Sequence, residues 1–413
     1  MYFWPKKSSE QPETTVSGSF VLEKKPFWKR KWFWGVVFIV VLIVVFSGGD
    51  DSKKEESTGV PSQQSSGTEA LCPFPSSWSY VYDNSLRTST GDNLSPWNIA
   101  ADPTLLHDQN KFRMWYTAAD GRGNGGIALA ESNDGITWNV WKENNSPVGV
   151  IDLVLTGTSR SWDEPGVETA SVIRTPSGEY RMYYTGNRPP EGSNHYSIGL
   201  ATSNDGIYWT KYGKGPIFEP ENGWELPTCT SPNNPRSCSN GGVLEPSVIY
   251  DSKEKIYKMW YAAVGTKDNL LTFRIGYATS VDGIQWNRMP EPVLERGKDG
   301  TWSDALVSHP NVIYDSQSGY HLFYVGVKLS EYCDNCALQR GNIGHAYSAD
   351  GKQWQLNERN PILSPRKNKW DEWNIGGPAV IARGGELSLW YFGNKKRESI
   401  ESGIGFAKGV CRQ

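Results

Sequence analysis

The chain has 413 residues, a formal net charge of −3 at neutral pH and a pI near 6.1, which excludes a polyanion such as nucleic acid as partner for the chain as a whole. Its 43 glycines, 19 tryptophans and 20 tyrosines come without long amphipathic helical patterns. That excludes a helical bundle and suits many short strands joined by Gly-rich turns.

The first element in chain order is apolar. Residues 32–46, "WFWGVVFIVVLIVVF", carry no charge, and with "SGG" they reach the lower limit for crossing a bilayer. Lys24, Lys25, Lys29, Arg30 and Lys31 precede the segment. The positive-inside bias therefore predicts a cytoplasmic tail over 1–31, a transmembrane anchor over 32–49 and an extracytoplasmic remainder at the cell surface or in a lumen. A cleaved signal peptide is the rival, but the basic region is long for one and no small-x-small site follows. Residues 50–70 have almost no apolar content and read as a flexible linker.

From residue 71 onward the chain repeats. Ser-x-Asp-Gly-x-x-Trp occurs at 132–138, 203–209, 280–286 and 348–354, each after a strand-like run such as "YSIGLAT". A fifth run, "SGIGFAKG", ends the chain without its turn. Upstream of each lies a second unit, "DPTLLHD", "TASVIRT", "EPSVIYD", "HPNVIYD" or "GPAVIAR", followed by a run such as "FRMWYTA" or "YKMWYAA". These second runs alternate, with Arg113, Arg181, Lys258, His321 and Ser388 on what reads as a wetter face. Five units of about 68 residues over 71–413, each of four short strands, predict an all-β, five-bladed β-propeller.

The Asp-Gly turns resemble sialidase Asp-boxes, which have one more residue between Asp and Gly, and they read as structural. "GRGNGG" at 121–126 joins two strands and opens no helix, so it is a hairpin loop and not a nucleotide site. Most tryptophans are repeat elements. Trp97 and Trp373 stand just before inner strands, where they could stack on a sugar. Six cysteines follow the apolar segment, an even number in an oxidising compartment. Cys72–Cys411 would join the ends of the ring, with Cys229–Cys238 and Cys333–Cys336 as local loops.

One position breaks the repeat. The first strand of each blade lines the channel, and the residue before its proline, or before Ala170 at the aligned site of the second unit, is Asp102, Thr169, Glu245, His309 or Gly377, with Glu168 one place earlier in the second unit. Convergent carboxylates in a pocket are the equipment of glycosidic bond cleavage, one held protonated and another ionised. The competing reading is that these acids bond backbone amides at strand ends.

With these motifs the chain resembles the five-bladed propeller glycosidases, the clan of glycoside hydrolase families 43 and 32, over 71–413. "ADPTLL" is similar to the blade-one Asp-Pro motif, which implies Asp102 as general base. The blade-three acid of the family implies Glu245 as general acid. The blade-two Asp that tunes the acid has no identical match, and Glu168 is nearest. Here Glu245 abuts its proline directly, so Glu168 is an alternative acid, with Asp163 and Glu164 further candidates. The invertase motifs are missing, which argues against fructans. The resemblance implies an inverting, membrane-anchored glycoside hydrolase acting on a pentose-containing, arabinofuranosyl-type glycan. It requires no cofactor, but suggests a calcium or similar ion at His309. A hydrogen bond from His309 to substrate or to a carboxylate is the other reading. The alternative function is a non-catalytic carbohydrate-binding or protein-contact propeller.

Overall fold

A computed structural model describes Pro75 and residues 77–410, apart from 96–97, 123, 144–145, 147–148, 165, 189–194, 227–240, 268–269, 333–337 and 384–385, and apart from the side chains of residues 188, 195 and 410. The apolar segment 32–49, the linker 50–70, Trp97 and all six cysteines lie outside the described residues. Among the described residues no helix is long and apolar enough to cross a membrane.

Five antiparallel blades follow one another along the chain, the second and third joined into one sheet by a short parallel pairing of residues 195–196 with 241–242. Their inner strands are Ala100–Asp108, Val167–Arg174, Gly241–Asp251, Leu306–Asp315 and Asn374–Arg383. Each pairs with a second strand, and that with a third: Lys111–Ala119 and Gly125–Ser132, Tyr180–Arg188 and His195–Ser203, Ile256–Lys267 and Leu270–Ser280, Gly319–Val327 and Gly341–Ser348, Glu386–Asn394 and Gly403–Val410. The inner strands contact one another in a closed cycle, the fifth returning to the first. The outer strand of blade 5 comes from the start of the domain: Ser77–Tyr80 pairs with the last strand, Ser77 opposite Val410. Closure is therefore non-covalent among the described residues, a strand from one end completing the sheet of the other.

The turn motif joins blades as well as strands. In "SNDGITW", Asp134 Oδ1 accepts from the amides of Ile136 and Thr137 at 2.8 Å, and Gly135 has φ +76°. The glycine carbonyl then accepts from an aromatic of the preceding blade. Trp115 Nε1 donates to Gly206 O at 2.9 Å, the Tyr183 hydroxyl to Gly283 O at 3.1 Å, Trp260 Nε1 to Gly351 O at 2.7 Å and Trp390 Nε1 to Gly135 O at 2.8 Å. The last of these crosses the closing seam. A β-carbon on Gly135 would lie 2.8 Å from the Trp390 ring, so glycine is required for contact as well as for φ.

The expected wet face is largely covered, because each blade packs on the next. Lys258 and His321 are buried. Lys258 is held by Asp251, Glu254 and the Tyr320 hydroxyl, and Arg113 and Arg181 reach the carbonyls of Asp205 and Asp282 in the following blades. In blade 4, His321 stacks on His345, ring centres 5.3 Å apart, with Nδ1 of one 3.1 Å from Nε2 of the other. Burial pushes His321 down to about 4; burial, and then its neighbour's charge, push His345 down to about 3.

Both imidazoles are neutral when folded and charge near 6.5 when unfolded, so the unfolded chain binds more protons below that pH and stability falls as pH falls. Thermal unfolding between pH 7 and 4 should show a declining Tm, with a shallower decline in His345→Gln. Equal slopes in the two proteins would show that the pair does not carry the effect.

Candidate active site

Each inner strand carries the same defect. The pairing with the second strand skips two residues, between Ala101 and Thr104, Glu168 and Ser171, Leu244 and Ser247, Ser308 and Asn311, and Gly376 and Ala379. The first skipped residue is left-handed in every blade: Asp102 (φ 46°), Thr169 (48°), Glu245 (54°), His309 (49°) and Gly377 (51°). The bulge re-aims that residue into the channel, a recognised use of such irregularities. Four of the five are not glycine, and for an L-residue this backbone costs roughly 1–2 kcal/mol.

The blades hold this ring by handing hydrogen bonds to their neighbours. Thr117 Oγ1 accepts from Thr169 N at 3.0 Å and Thr185 Oγ1 from Glu245 N at 2.9 Å. The next equivalent position is Ala262, which has no hydroxyl. There Glu245 itself reaches across, its Oε2 accepting from His309 N at 2.6 Å. Just below, Thr104, Ser171, Ser247 and Asn311 accept from the amides of Val172, Val248, Val312 and Val380.

His309 lies between two carboxylates. Its Nε2 is 3.4 Å from Asp102 Oδ1, its Nδ1 3.3 Å from Glu245 Oε1 and 2.9 Å from Ser308 Oγ. Although burial alone would lower its pKa, the charges of Glu245 and then Asp102 raise it, so the imidazolium is favoured. Asp102, Glu168 and Glu245 are 5%, 8% and 7% exposed. Neither oxygen of Asp102 has a hydrogen-bond partner, and such buried groups are rare unless they serve a purpose. Burial, reinforced by the charges of Asp102 and Glu245, pushes Glu168 up to about 7 despite the attraction of His309. Burial also raises Glu245, and the charge and backbone N–H of His309 offset only part of that rise. Asp102, Glu245 and His309 line a cavity of about 40 Å³. That holds water but no sugar ring.

The other sequence candidates separate cleanly. Asp163 is buried at the base of blade 2, bound to Lys211, Thr158 N and the Tyr184 hydroxyl. Glu164 accepts from Arg160 N. Neither lines the channel cavity, and nor does Glu168, which stands one residue before the bulge and is close enough to feel the charges of Asp102, Glu245 and His309. Trp373 donates to Leu338 O at 3.0 Å, and the guanidiniums of Arg340 and Arg397 lie 5.5 and 5.9 Å from its ring centre, so two cations compete with any sugar for that ring. Both ring nitrogens of His309 face neighbouring side chains, and among the described residues no group of three or more His, Cys, Asp and Glu is placed to hold a metal ion. One residue escaped sequence reasoning. Phe392 occupies the place of Thr117 and Thr185, lies against Gly376 and Gly377, and presents its ring 5.9 Å from that of His309. The doubled glycine was the available signal, since a β-carbon at either position would meet that ring at 2.8 Å.

No protein-family model matches the chain. An uncharacterized protein of Mycobacterium tuberculosis, from strains CDC 1551 and H37Rv, is 26% identical over 152 residues, 36% of this chain and 43% of the length of those relatives. Solved structures cover far more. A protein in an RGII complex has TM-score 0.58 at 20% identity, over 80% of this chain and 92% of its own length. A thermostable family-43 glycoside hydrolase gives 0.54 at 19%, over 74% and 88%. A protein described with the GH130 family of mannoside phosphorylases, which contains hydrolases of β-1,2 mannosidic linkages, gives 0.53 at 17%, over 84% and 92%.

If Asp102 is kept for function, replacing it should relieve the fold. Asp102→Gly removes a left-handed non-glycine residue and a buried carboxylate whose one charged contact is the long His309 pair, so the urea midpoint should rise, corresponding to about 1 kcal/mol. A lower midpoint would make Asp102 a structural residue.

Proposed function

We propose that this chain, whose fold is that of the five-bladed propeller glycosidases, is itself a glycoside hydrolase. The observation that carries the proposal is the channel ring, where three buried carboxyls and one imidazole converge on a strained backbone. Asp102 serves as general base. It lines a cavity with room for the attacking water, and its oxygens are not committed to other hydrogen bonds. The scissile bond sits at the channel mouth, above that water.

Of the two glutamates, the electrostatics favour Glu168 as the acid. Glu245 is engaged with His309 through both its charge and the backbone amide, whereas Glu168 has no described hydrogen-bond partner and is pushed up to about 7, so that it keeps a large protonated fraction at neutral pH beside the cavity that Glu245 lines. This exchanges the roles that the family resemblance implies for the two glutamates. Glu245 then positions His309 and, through it, Asp102. An inverting course and a pentose-containing glycan rest on the resemblance to family 43. The anchor over 32–49, with the propeller outside the cytoplasm, rests on the sequence.

Screening the chain on aryl glycosides and pectic, mannan and arabinan substrates, with NMR to read the product anomer, tests the reaction class. Asp102→Asn should abolish turnover of every substrate. The alkaline limb of kcat/KM should lie above the ordinary glutamate range and vanish in Glu168→Gln, which should lose about 10²–10⁴-fold on poor leaving groups and little on activated ones. If Glu245→Gln shows that leaving-group pattern instead, Glu245 is the acid. If no substrate is cleaved, the ring is a binding site. Protease added outside intact cells should release the folded domain by cutting within 50–70, and protection of that stretch would reverse the topology.

A further inference from the structure

A second cavity, of about 310 Å³, opens where blade 5 meets blade 1, and it shares no lining residue with the channel. Its volume is at the lower end of small-molecule sites. One wall is the loop that leaves Asn394, and the other is the approach to the blade 1 inner strand.

The charge of its lining is one-sided. Arg87, Lys395 and Lys396 stand there against a single carboxylate, Glu401. All three cations are exposed, and none forms an ion pair among the described residues. The buried cations of the propeller differ, since Lys258, Arg288 and Arg366 are each paired with carboxylates.

The wall also holds polar atoms without partners. Asn394 Oδ1, Ser402 Oγ and Trp370 Nε1 are buried and make no hydrogen bond. Asn394 cannot readily turn away, because its Nδ2 is fixed by the carbonyls of Lys396 and Ser399, both at 2.8 Å. Trp370 is fixed too, stacked on Tyr391 with ring centres 5.9 Å apart and planes at 21°. An acceptor, a hydroxyl and an indole N–H thus lie in one wall beneath a cationic rim. Leaving such groups unpaired costs about 1–3 kcal/mol each; all three lie just beneath the cleft surface, so a ligand gains from them where the wall shifts to bring them to it.

We propose that this seam cleft binds an acidic sugar, a uronate unit. Its carboxylate meets Arg87, Lys395 and Lys396, while its hydroxyls meet the polar wall of Asn394, Ser402 and Trp370. A neutral sugar matches the wall alone, and a simple anion matches the rim alone. The site stands apart from the catalytic ring and does not depend on the role given to that ring.

Calorimetric titration of the full chain with D-galacturonate, D-galactose and inorganic phosphate tests this. D-Galacturonate should bind the native protein and Asp102→Asn alike, at least tenfold more tightly than D-galactose or phosphate. The double variant Lys395→Glu, Lys396→Glu should weaken D-galacturonate at least tenfold with Tm unchanged. The proposal fails if phosphate binds as well as D-galacturonate, if D-galactose does, or if charge reversal has no effect. Loss of binding in Asp102→Asn would place the ligand in the channel and also overturn it.

Discussion

The structure depends on a two-residue slip in each inner strand. The slip forces the first skipped residue into left-handed backbone, where L-residues are strained and glycine is not. A scaffold selected for stability alone would place glycine at all five positions, and only Gly377 does so. The other four sites accept the strain and present an aspartate, a threonine, a glutamate and a histidine to one axis. The repeat supplies the geometry, and departures from the repeat supply the chemistry.

Those departures are coupled, because each bulge is held by the blade before it. Where the preceding blade offers Thr117 or Thr185, the bulge amide has a neutral hydroxyl partner. At blade 3 the hydroxyl is lost to Ala262, and Glu245 supplies the acceptor from its own side chain. A carboxylate in that place brings His309 within ion-pair distance, and His309 in turn reaches Asp102. Phe392 and the glycine pair then close the apolar side of the ring. The loss of one methyl-bearing hydroxyl therefore propagates through three blades.

The propeller was legible in the sequence because its repeat is written in packing residues: Asp-Gly turns, alternating aromatic strands and a proline in four of the five inner strands. The ring was legible because it violates that repeat. Two things were not. The burial of Lys258 and His321 depends on the neighbouring blade, which a period-two pattern cannot reveal. The unlike surroundings of Glu168 and Glu245 depend on which carboxyl meets the imidazole, and positions at or beside a bulge in two separate strands give no such information. Asp163 misled for the opposite reason. It is a carboxylate in a loop beside the site, yet the recurring Trp-acid pairs Trp162–Asp163, Trp224–Glu225 and Trp370–Asp371 mark it as a repeat element whose acid anchors a tyrosine hydroxyl.

Charge balance supplies the final constraint on the ring. Three buried carboxyls cannot all be ionised beside one another without a large electrostatic cost, and one imidazolium offsets only part of it. His309 touches Asp102 and Glu245, so those two share the stabilisation it provides. Glu168 is left with the repulsion of both and no hydrogen bond to offset its burial. A proton is the remaining way to neutralise it. The same arrangement raises Glu168 up to about 7, and a carboxyl with a raised pKa in a charged ring is the kind of asymmetry on which acid–base cleavage of a glycosidic bond draws. In this ring the asymmetry follows from where a single histidine stands.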